Sequence, residues 1–303
     1  MNEPSFTLVQ LRYFEAAARH LSMTAASKEL MVSQSAVSTA IAQLEKEMGV
    51  QFLLRHHARG LSLTTAGEAF YRRVLDFLAH GAELVETARQ SGTDLVGPLT
   101  VGCFTTLAPF RLPGLLAEFE AKHPKVQVSL REGEHRALKA ALRSGETEIA
   151  LLYGYDLGDD IDREVVGTAS PYVLVPEDHW LARREPPEVS LQELADEPMV
   201  LLDLPHSREY LQSVLSDAGV QPPIRHRTSG FETVRAFVAH GHGFALLNQR
   251  PSTETTYAGA RAVTLALTDD IPPLNVVVAS MHGVRLTRRA QEFRELCRTR
   301  YAH

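Results

Sequence analysis

Cysteine is almost missing: Cys103 and Cys297 are the two in 303 residues, far apart and without a Cys-x-x-Cys or resolving partner, so they read as small buried hydrophobes. No apolar run approaches the roughly 18 residues of a membrane span, and Met1-Asn2-Glu3-Pro4 does not open a charged-then-apolar leader, so a cytoplasmic protein without membrane partners is expected. No Gly-x-Ser-x-Gly elbow appears and no carboxylate pair stands out as acid and base, which argues against an enzyme and leaves no catalytic residue to name. His56-His57 and His240-Gly241-His242-Gly243 lack the Cys or carboxylate company of a metal site, and Gly241-x-Gly243 lacks the third glycine of a dinucleotide loop. No metal and no cofactor is therefore expected. Positive charge is not in surplus either. Residues 1–90 hold nine of the 31 Lys and Arg and nine of the 37 Asp and Glu, and the net charge of -6 comes from the remainder. That balance excludes general nucleic-acid coating, so any contact with nucleic acid has to be a local footprint.

What is present begins with helical patterning that breaks at Met31-Val32-Ser33 and restarts at once. Thr7 and Gln10 have capping-box spacing, and Leu8, Leu11, Phe14 and Ala18 form an apolar stripe behind them. A second helix starts near Ser22 or Thr24 and carries Ala25, Ala26 and Leu30, small residues that suit a tight crossing. Ser33 can cap a third helix, Gln34 to Met48, with Val37, Ile41, Leu44 and Met48 inward. Its other face shows Gln34, Ser35, Ser38, Thr39 and Gln43, which both donate and accept hydrogen bonds and suit the donor and acceptor code of the major groove. This is the expected recognition helix of a helix-turn-helix; an ordinary three-helix subdomain with a solvated face is the alternative. Gly49 then ends the helix, and Arg55, His56, His57, Arg59 and Gly60 lie between two apolar segments, as in a hairpin wing whose arginines reach phosphates; a solvated loop is the alternative.

These residues resemble the LysR-type transcriptional regulators. The resemblance rests on Leu11-Arg12-Tyr13-Phe14, Thr24-Ala25-Ala26 to Leu30, Ser33-Gln34-Ser35-Ala36-Val37-Ser38, Ile41, Leu44-Glu45, Gly49, Phe52-Leu53, Arg55 and Leu63-Thr64-Thr65-Ala66-Gly67. It implies a winged helix-turn-helix at 1–64, a linker and dimerisation helix at 65–92, and at 95–303 a two-lobed α/β effector domain built like a periplasmic binding protein. The family often places Arg or Lys mid-way along the recognition helix. Here Thr39, Ala40, Ala42 and Gln43 are uncharged, so fewer phosphate contacts are expected.

From Thr65 to about Ser91 no proline intervenes, and Phe70, Val74, Phe77, Leu84 and Ala88 recur at heptad-like spacing. A rod of roughly 40 Å suits self-association, since paired half-sites need recognition helices about 34 Å apart or a multiple of it. A core helix of one globular domain is the alternative. Ser91-Gly92-Thr93 and Gly97-Pro98 mark a hinge.

Beyond the hinge, strands are expected at Leu99 to Val101, Val126 to Leu130 and Ile149 to Leu152, with helices from about Pro109 to Lys122 and from Ala137 to Arg143 between them. This βαβαβ pattern implies parallel strands. A second set runs from Tyr172 to Leu247, and Leu274 to Ala279 with a helix from Thr287 to Arg300 returns to the first. By resemblance the crossings fall near Gly167 to Ser170 and Leu267 to Asp270, giving lobe I about 95–168 and 269–303 and lobe II about 169–268.

Ligands of open α/β folds bind where strand ends and helix N-termini face each other. Thr105 and Thr106 sit at such a point, where an anionic or strongly polar group would be favoured, though plain N-capping explains them too. By resemblance Thr105, Thr106, Ser170, Leu202, Ser207, Phe231 and Asn248 lie nearest the effector cleft. Asp203, His206 and Arg208 surround the same loop, and the alternating Arg225 and Arg227 read as a solvated strand face. The expectation is a regulator that binds double-stranded DNA as a dimer, paired into a tetramer, and answers a small effector. One branch of the family senses oxidants through thiols, which makes Cys103, near the cleft, the residue on which a redox alternative turns. A stand-alone solute-binding protein is the remaining alternative.

Overall fold

The computed structural model describes residues 6–56, 60–89 and 95–301. Arg59, His57 and the Ser91-Gly92-Thr93 hinge lie outside those residues. Three helices, α1 (Leu8–His20), α2 (Met23–Glu29) and α3 (Gln34–Met48), precede a hairpin of β1 (Leu53–His56) and β2 (Gly60–Leu63) and a long helix α4 (Thr65–Arg89). Local chemistry sets the boundaries. The Thr7 and Gln10 side chains each cap the other's backbone N-H, Ser22 accepts from the Ala25 N-H, and Ser33 accepts from the Ala36 N-H. Gly49 closes α3 in the left-handed conformation at φ 67°.

Leu11, Phe14, Ala18, Val37, Ile41 and Leu44 are buried together, and Phe52 stacks on Phe70 with centroids 4.2 Å apart, which fastens the wing and α4 to this core. The expected stripe on α1 is corrected at its first position. Leu8 is 48% exposed, Leu11 being the first apolar residue of α1 that is buried, and Met48 is half-buried at the end of α3.

The second unit contains β3 (Gly97–Phe104), α5 (Ala108–Lys122), β4 (Val126–Gly133), α6 (His135–Ser144), β5 (Ile149–Tyr153) and β6 (Ile161–Ala169). Then follow β7 (Tyr172–Pro176), β8 (Glu188–Val189), β9 (Met199–Leu202), α7 (Pro205–Asp217), β10 (Ile224–Thr228), α8 (Phe231–Ala239), β11 (Ala245–Leu247), β12 (Ala262–Leu267), β13 (Leu274–Met281) and α9 (Arg288–Tyr301). One sheet runs β4-β3-β5-β13-β6; β3 is parallel to β4 and β5, and β13 is antiparallel to β5 and β6. The other runs β11-β7-β12-β8, with the parallel pair β10-β9 joined to it by a bridge between Met199 and Phe244. The chain passes from the first sheet to the second at Ser170-Pro171 and returns between Leu267 and Leu274.

Three strands, β6, the two-residue β8 and β12, carry no counterpart in the sequence expectation. β6 reads Ile-Asp-Arg-Glu-Val-Val-Gly-Thr-Ala and is an edge strand paired with β13 alone, so its outward charges hide the period-two signal. β12, Ala-Val-Thr-Leu-Ala-Leu, does carry β-branched and apolar residues, a signal the sequence offered. Gly243 has a plain structural duty: a Cβ there would lie 1.9 Å from the Pro198 carbonyl oxygen, so the close approach of β11 to β9 requires glycine. Among the described residues no helix is long and apolar enough to cross a membrane.

Candidate functional site

On α3 the side chains of Gln34, Ser35, Thr39 and Gln43 are exposed, while Ser38 is half-buried. Ser33 is occupied as the cap and its Oγ lies 3.0 Å from the Ser35 Oγ; Gln43 donates to Glu47 at 3.1 Å. Arg55 projects from β1 back onto this helix and donates to the Ser38 Oγ at 2.7 Å. Wing and recognition helix therefore share one polar surface. The Glu45 carboxylate fixes their angle by accepting the Phe52 and Leu53 N-H groups at 2.7 and 2.9 Å. Along α4, Phe77, Leu84 and Val85 are 51%, 71% and 49% exposed, an apolar strip that the described residues leave largely open, with Phe6 meeting the edge of Phe77.

In the other unit the two sheets face each other across a cleft. The Tyr153 hydroxyl, at the end of β5, lies 3.2 Å from the Thr106 Oγ1, donates to Asn248 Oδ1 at 3.2 Å, and accepts from Gln249 Nε2 at 3.1 Å. It thus joins the first sheet to the loop after β11. Thr105 is half-buried, and its backbone N-H bonds to the Gly133 carbonyl and steadies the turn after β3. Phe231 opens α8 and meets Phe110 of α5 edge to face, centroids 5.4 Å apart. Leu202 is buried at the end of β9, Ser207 is nearly buried in the first turn of α7, and Ser170 lies exposed at the strand crossing.

Sequence reasoning missed Tyr153, His135 and the part played by His206. The imidazoles of His135, first residue of α6, and His206, in the first turn of α7, stack across the cleft. His135 is buried and accepts the Tyr153 N-H on Nε2, which puts its proton on Nδ1; that atom has no partner among the described residues, nor has the Tyr210 hydroxyl. Both residues line a space of about 10 Å³ with Ser207 and Asn248. Burial is the main cause that pushes His135 down to about 3, with His206 and Lys139 adding to it. The exposed Asp156 bonds Lys139 of α6 at 3.1 Å and His206 of α7 at 3.3 Å, clasping the same two helices from outside. A histidine opening a helix beside a buried strand end was the only sequence signal for this cluster.

A cavity of about 600 Å³ opens beside it at the strand crossing, lined by Phe110, Arg111, Ser170, Tyr172, Asn248 and Arg250 among others. Asp203 and Arg208 pair with each other at 2.7 Å. Arg225 and Arg227 point to solvent from β10, and His242 lies 3.2 Å from His226. Cys103 is fully buried and burial raises its pKa, with Glu132 and Cys297 adding to the effect; Cys297 is buried too.

The long helix α4 meets the second unit at the end of α6 and at the turn after β13. The Tyr71 hydroxyl of α4 donates to the Ser144 carbonyl at 2.7 Å, Arg73 donates to the Gly283 carbonyl at 2.9 Å, and Leu75 lies so close to Gly145 that a Cβ there would sit 2.8 Å from its Cδ1. Gly145 also holds φ at 74°, and it is this left-handed backbone that calls for glycine. One rigid helix of ten residues thus has its first residue in the cleft and its last against the long helix of the DNA reader.

A winged helix-turn-helix ahead of a two-lobed cleft domain defines a DNA-binding regulator. Residues 8–68 match the bacterial regulatory helix-turn-helix protein, lysR family, and residues 92–302 match the LysR substrate binding domain. The chain belongs to the LysR family of transcriptional regulators, with a DNA-binding domain followed by an effector-binding domain. HinK, a LysR family transcriptional regulator from Pseudomonas aeruginosa, is 36% identical, with 98% of this chain and 99% of that one covered at a TM-score of 0.65. A probable hydrogen peroxide-inducible genes activator from Streptomyces viridosporus is 32% identical over 96% of this chain and 92% of its own length. The DNA-binding transcriptional dual regulator OxyR of Escherichia coli is 30% identical over 78% of this chain and 77% of its own.

Proposed function

We propose that this regulator acts in the cytoplasm, binding promoter DNA as a dimer that pairs into a tetramer, and that a small effector held between its lobes sets the spacing of the DNA readers. Gln34, Ser35, Ser38, Thr39 and Gln43 read base edges, Ser33 orders the start of the helix, and Arg55 and Arg59 hold phosphates. Phe77, Leu84 and Val85 are the seam of the dimer, because exposed apolar strips of this kind on a long helix are normally covered by a partner. The effector contacts are Thr105, Thr106, Ser170, Leu202, Ser207, Phe231 and Asn248. No catalysis belongs to this reading.

The observation that carries the proposal is the Tyr153 hydroxyl, which ties Thr106 in one lobe to Asn248 and Gln249 in the other. An effector that competes for those groups binds the two lobe arrangements with different affinity, and that difference is what shifts a population. α6 supplies the route outward, since His135 at its start and Ser144 at its end move as one body. Replacing Thr106 with Val and Asn248 with Ala is expected to abolish the effector response in a reporter assay while gel-shift affinity for the promoter stays within about twofold. A preserved response in the double variant would contradict the cleft assignment.

The thiol-sensing alternative draws on the two peroxide-named relatives. Against it stands the burial of Cys103 and its raised pKa, the reverse of the exposed thiolate that oxidants attack. An unchanged peroxide response in Cys103→Ala is the expected result.

A further inference from the structure

The His240-Gly241-His242-Gly243 segment has no metal-binding company in the sequence, but the fold brings it a partner. His226 of the edge strand β10 meets His242 in the turn after α8, both half-buried. Their Nε2 and Nδ1 atoms lie 3.2 Å apart, and the ring planes stand 78° from parallel. The Phe237 ring packs against both imidazoles, with centroids 4.9 and 5.0 Å away. The turn itself is pinned on either side: the His242 N-H donates to the Phe237 carbonyl at 3.2 Å, and Gly243 lies against the Pro198 carbonyl. His240 donates from Nδ1 to the Ala236 carbonyl at 2.8 Å, which leaves Nε2 as its lone-pair nitrogen. Neither the DNA reader nor the cleft uses these rings.

We propose that His226 Nε2 and His242 Nδ1 together bind a divalent ion of the kind imidazole prefers, Zn²⁺, Ni²⁺ or Cu²⁺. Nitrogen ligands stand about 2.0 to 2.1 Å from such ions, so two nitrogens 3.2 Å apart subtend about 100° at a shared metal. That angle lies between the octahedral and the tetrahedral values. In the metal-free pair one of the two nitrogens carries the N-H that the other accepts. When the ion arrives this proton passes to the remote nitrogen of the same ring, so two lone pairs face the metal and a neutral pair loses no proton. Burial, with Arg225, His226 and His240 adding to it, lowers the His242 pKa and keeps that ring in the neutral form a metal requires. Arg225 opposes a cation, yet it is exposed at the alternate position on β10, where solvent screens it. No group of three His, Cys, Asp or Glu side chains surrounds one point among the described residues, so water completes the coordination. The ion fastens β10 to the turn after α8 and thereby fixes both ends of the helix that opens with Phe231.

The test uses the untagged full chain, stripped with a chelator and then titrated calorimetrically with Zn²⁺, Ni²⁺, Cu²⁺ and, as the hard-cation control, Mg²⁺. At least one of the first three is expected to bind saturably at micromolar concentration, and Mg²⁺ is not. His226→Gln and His242→Gln, made singly, each remove one ligand and are expected to weaken that binding at least tenfold while the metal-free unfolding temperature stays within a few degrees of the parent. Either variant that folds decides the point. Electron paramagnetic resonance of the Cu²⁺-loaded parent is expected to show nitrogen hyperfine couplings that diminish in each variant. The proposal is overturned if none of the three ions binds saturably, if Mg²⁺ binds as tightly as they do, or if the copper spectrum of the parent lacks nitrogen couplings. Parent-like affinity in a folded variant also overturns it, because the ion then sits on others of the thirteen histidines.

Discussion

His135 and His206 stack across the cleft with ring centroids 4.6 Å apart and planes 17° from parallel. The arrangement requires that His135 stay neutral, and burial, His206 and Lys139 together hold it at about 3, with Asp156 opposing them weakly. In the unfolded chain an imidazole titrates near 6.5, so between those values the unfolded state binds more protons than the folded one. Stability is complete above about pH 6.5 and falls as the pH drops toward 3, by at most about 1.4 kcal/mol per unit for this one proton. Denaturant midpoints are expected to decline from pH 7 to pH 5. His135→Phe, which keeps a ring but cannot titrate, is expected to flatten that slope, and an unaltered slope would remove His135 as its cause.

At the DNA surface, Gln34→Ala is expected to cost about 1 to 3 kcal/mol in specific binding and little in non-specific binding. Arg55→Gln is expected to weaken both together and to lower the salt slope by about one. Because Arg55 donates to Ser38, the pair Arg55→Gln and Ser38→Ala should be non-additive by at least about 0.5 kcal/mol. Footprinting titrations at two salt concentrations measure all three; additive losses would place Arg55 away from the recognition helix in the bound state.

Leu84 is 71% exposed on α4, so its replacement by Glu leaves the single chain folded and charges the seam. Sedimentation is expected to show dissociation to monomers at micromolar protein, with promoter affinity falling at least about a hundredfold as the paired half-site contacts are lost. A dimer that survives this change would put the interface elsewhere.

Tyr71→Phe deletes one hydroxyl and its bond to the Ser144 carbonyl, a change of about 1 kcal/mol. DNA affinity without effector is expected to change less than threefold, while the ratio of affinities with and without effector moves toward one. Should that ratio hold, the lobes communicate with the DNA reader by some path other than α6.

The winged reader was legible nearly residue by residue, because its determinants are local. Thr7 with Gln10, Ser22, Ser33 and Gly49 each act within one helical turn, and Val37, Ile41 and Leu44 share a face by period alone. The alternating strands and helices of the second unit were legible for the same reason where strands are buried, and failed at β6, whose edge position lets charged residues occupy it. The cleft was legible only in outline. Ser170, Ser207 and Asn248 line its cavities, but Arg111, Tyr153, His135 and Arg250 come from four separate segments and carry no shared spacing.

What the chain's order of residues determined by itself was the helices and the buried strands, the caps, and the polar face of α3, since each depends on interactions a few residues long. Only the tertiary structure decided that His135 meets His206, that Arg55 rests on Ser38, and that Tyr71 reaches Ser144. Those contacts join residues 71, 17 and 73 positions apart, where packing of whole elements, and not backbone propensity, chooses the neighbour.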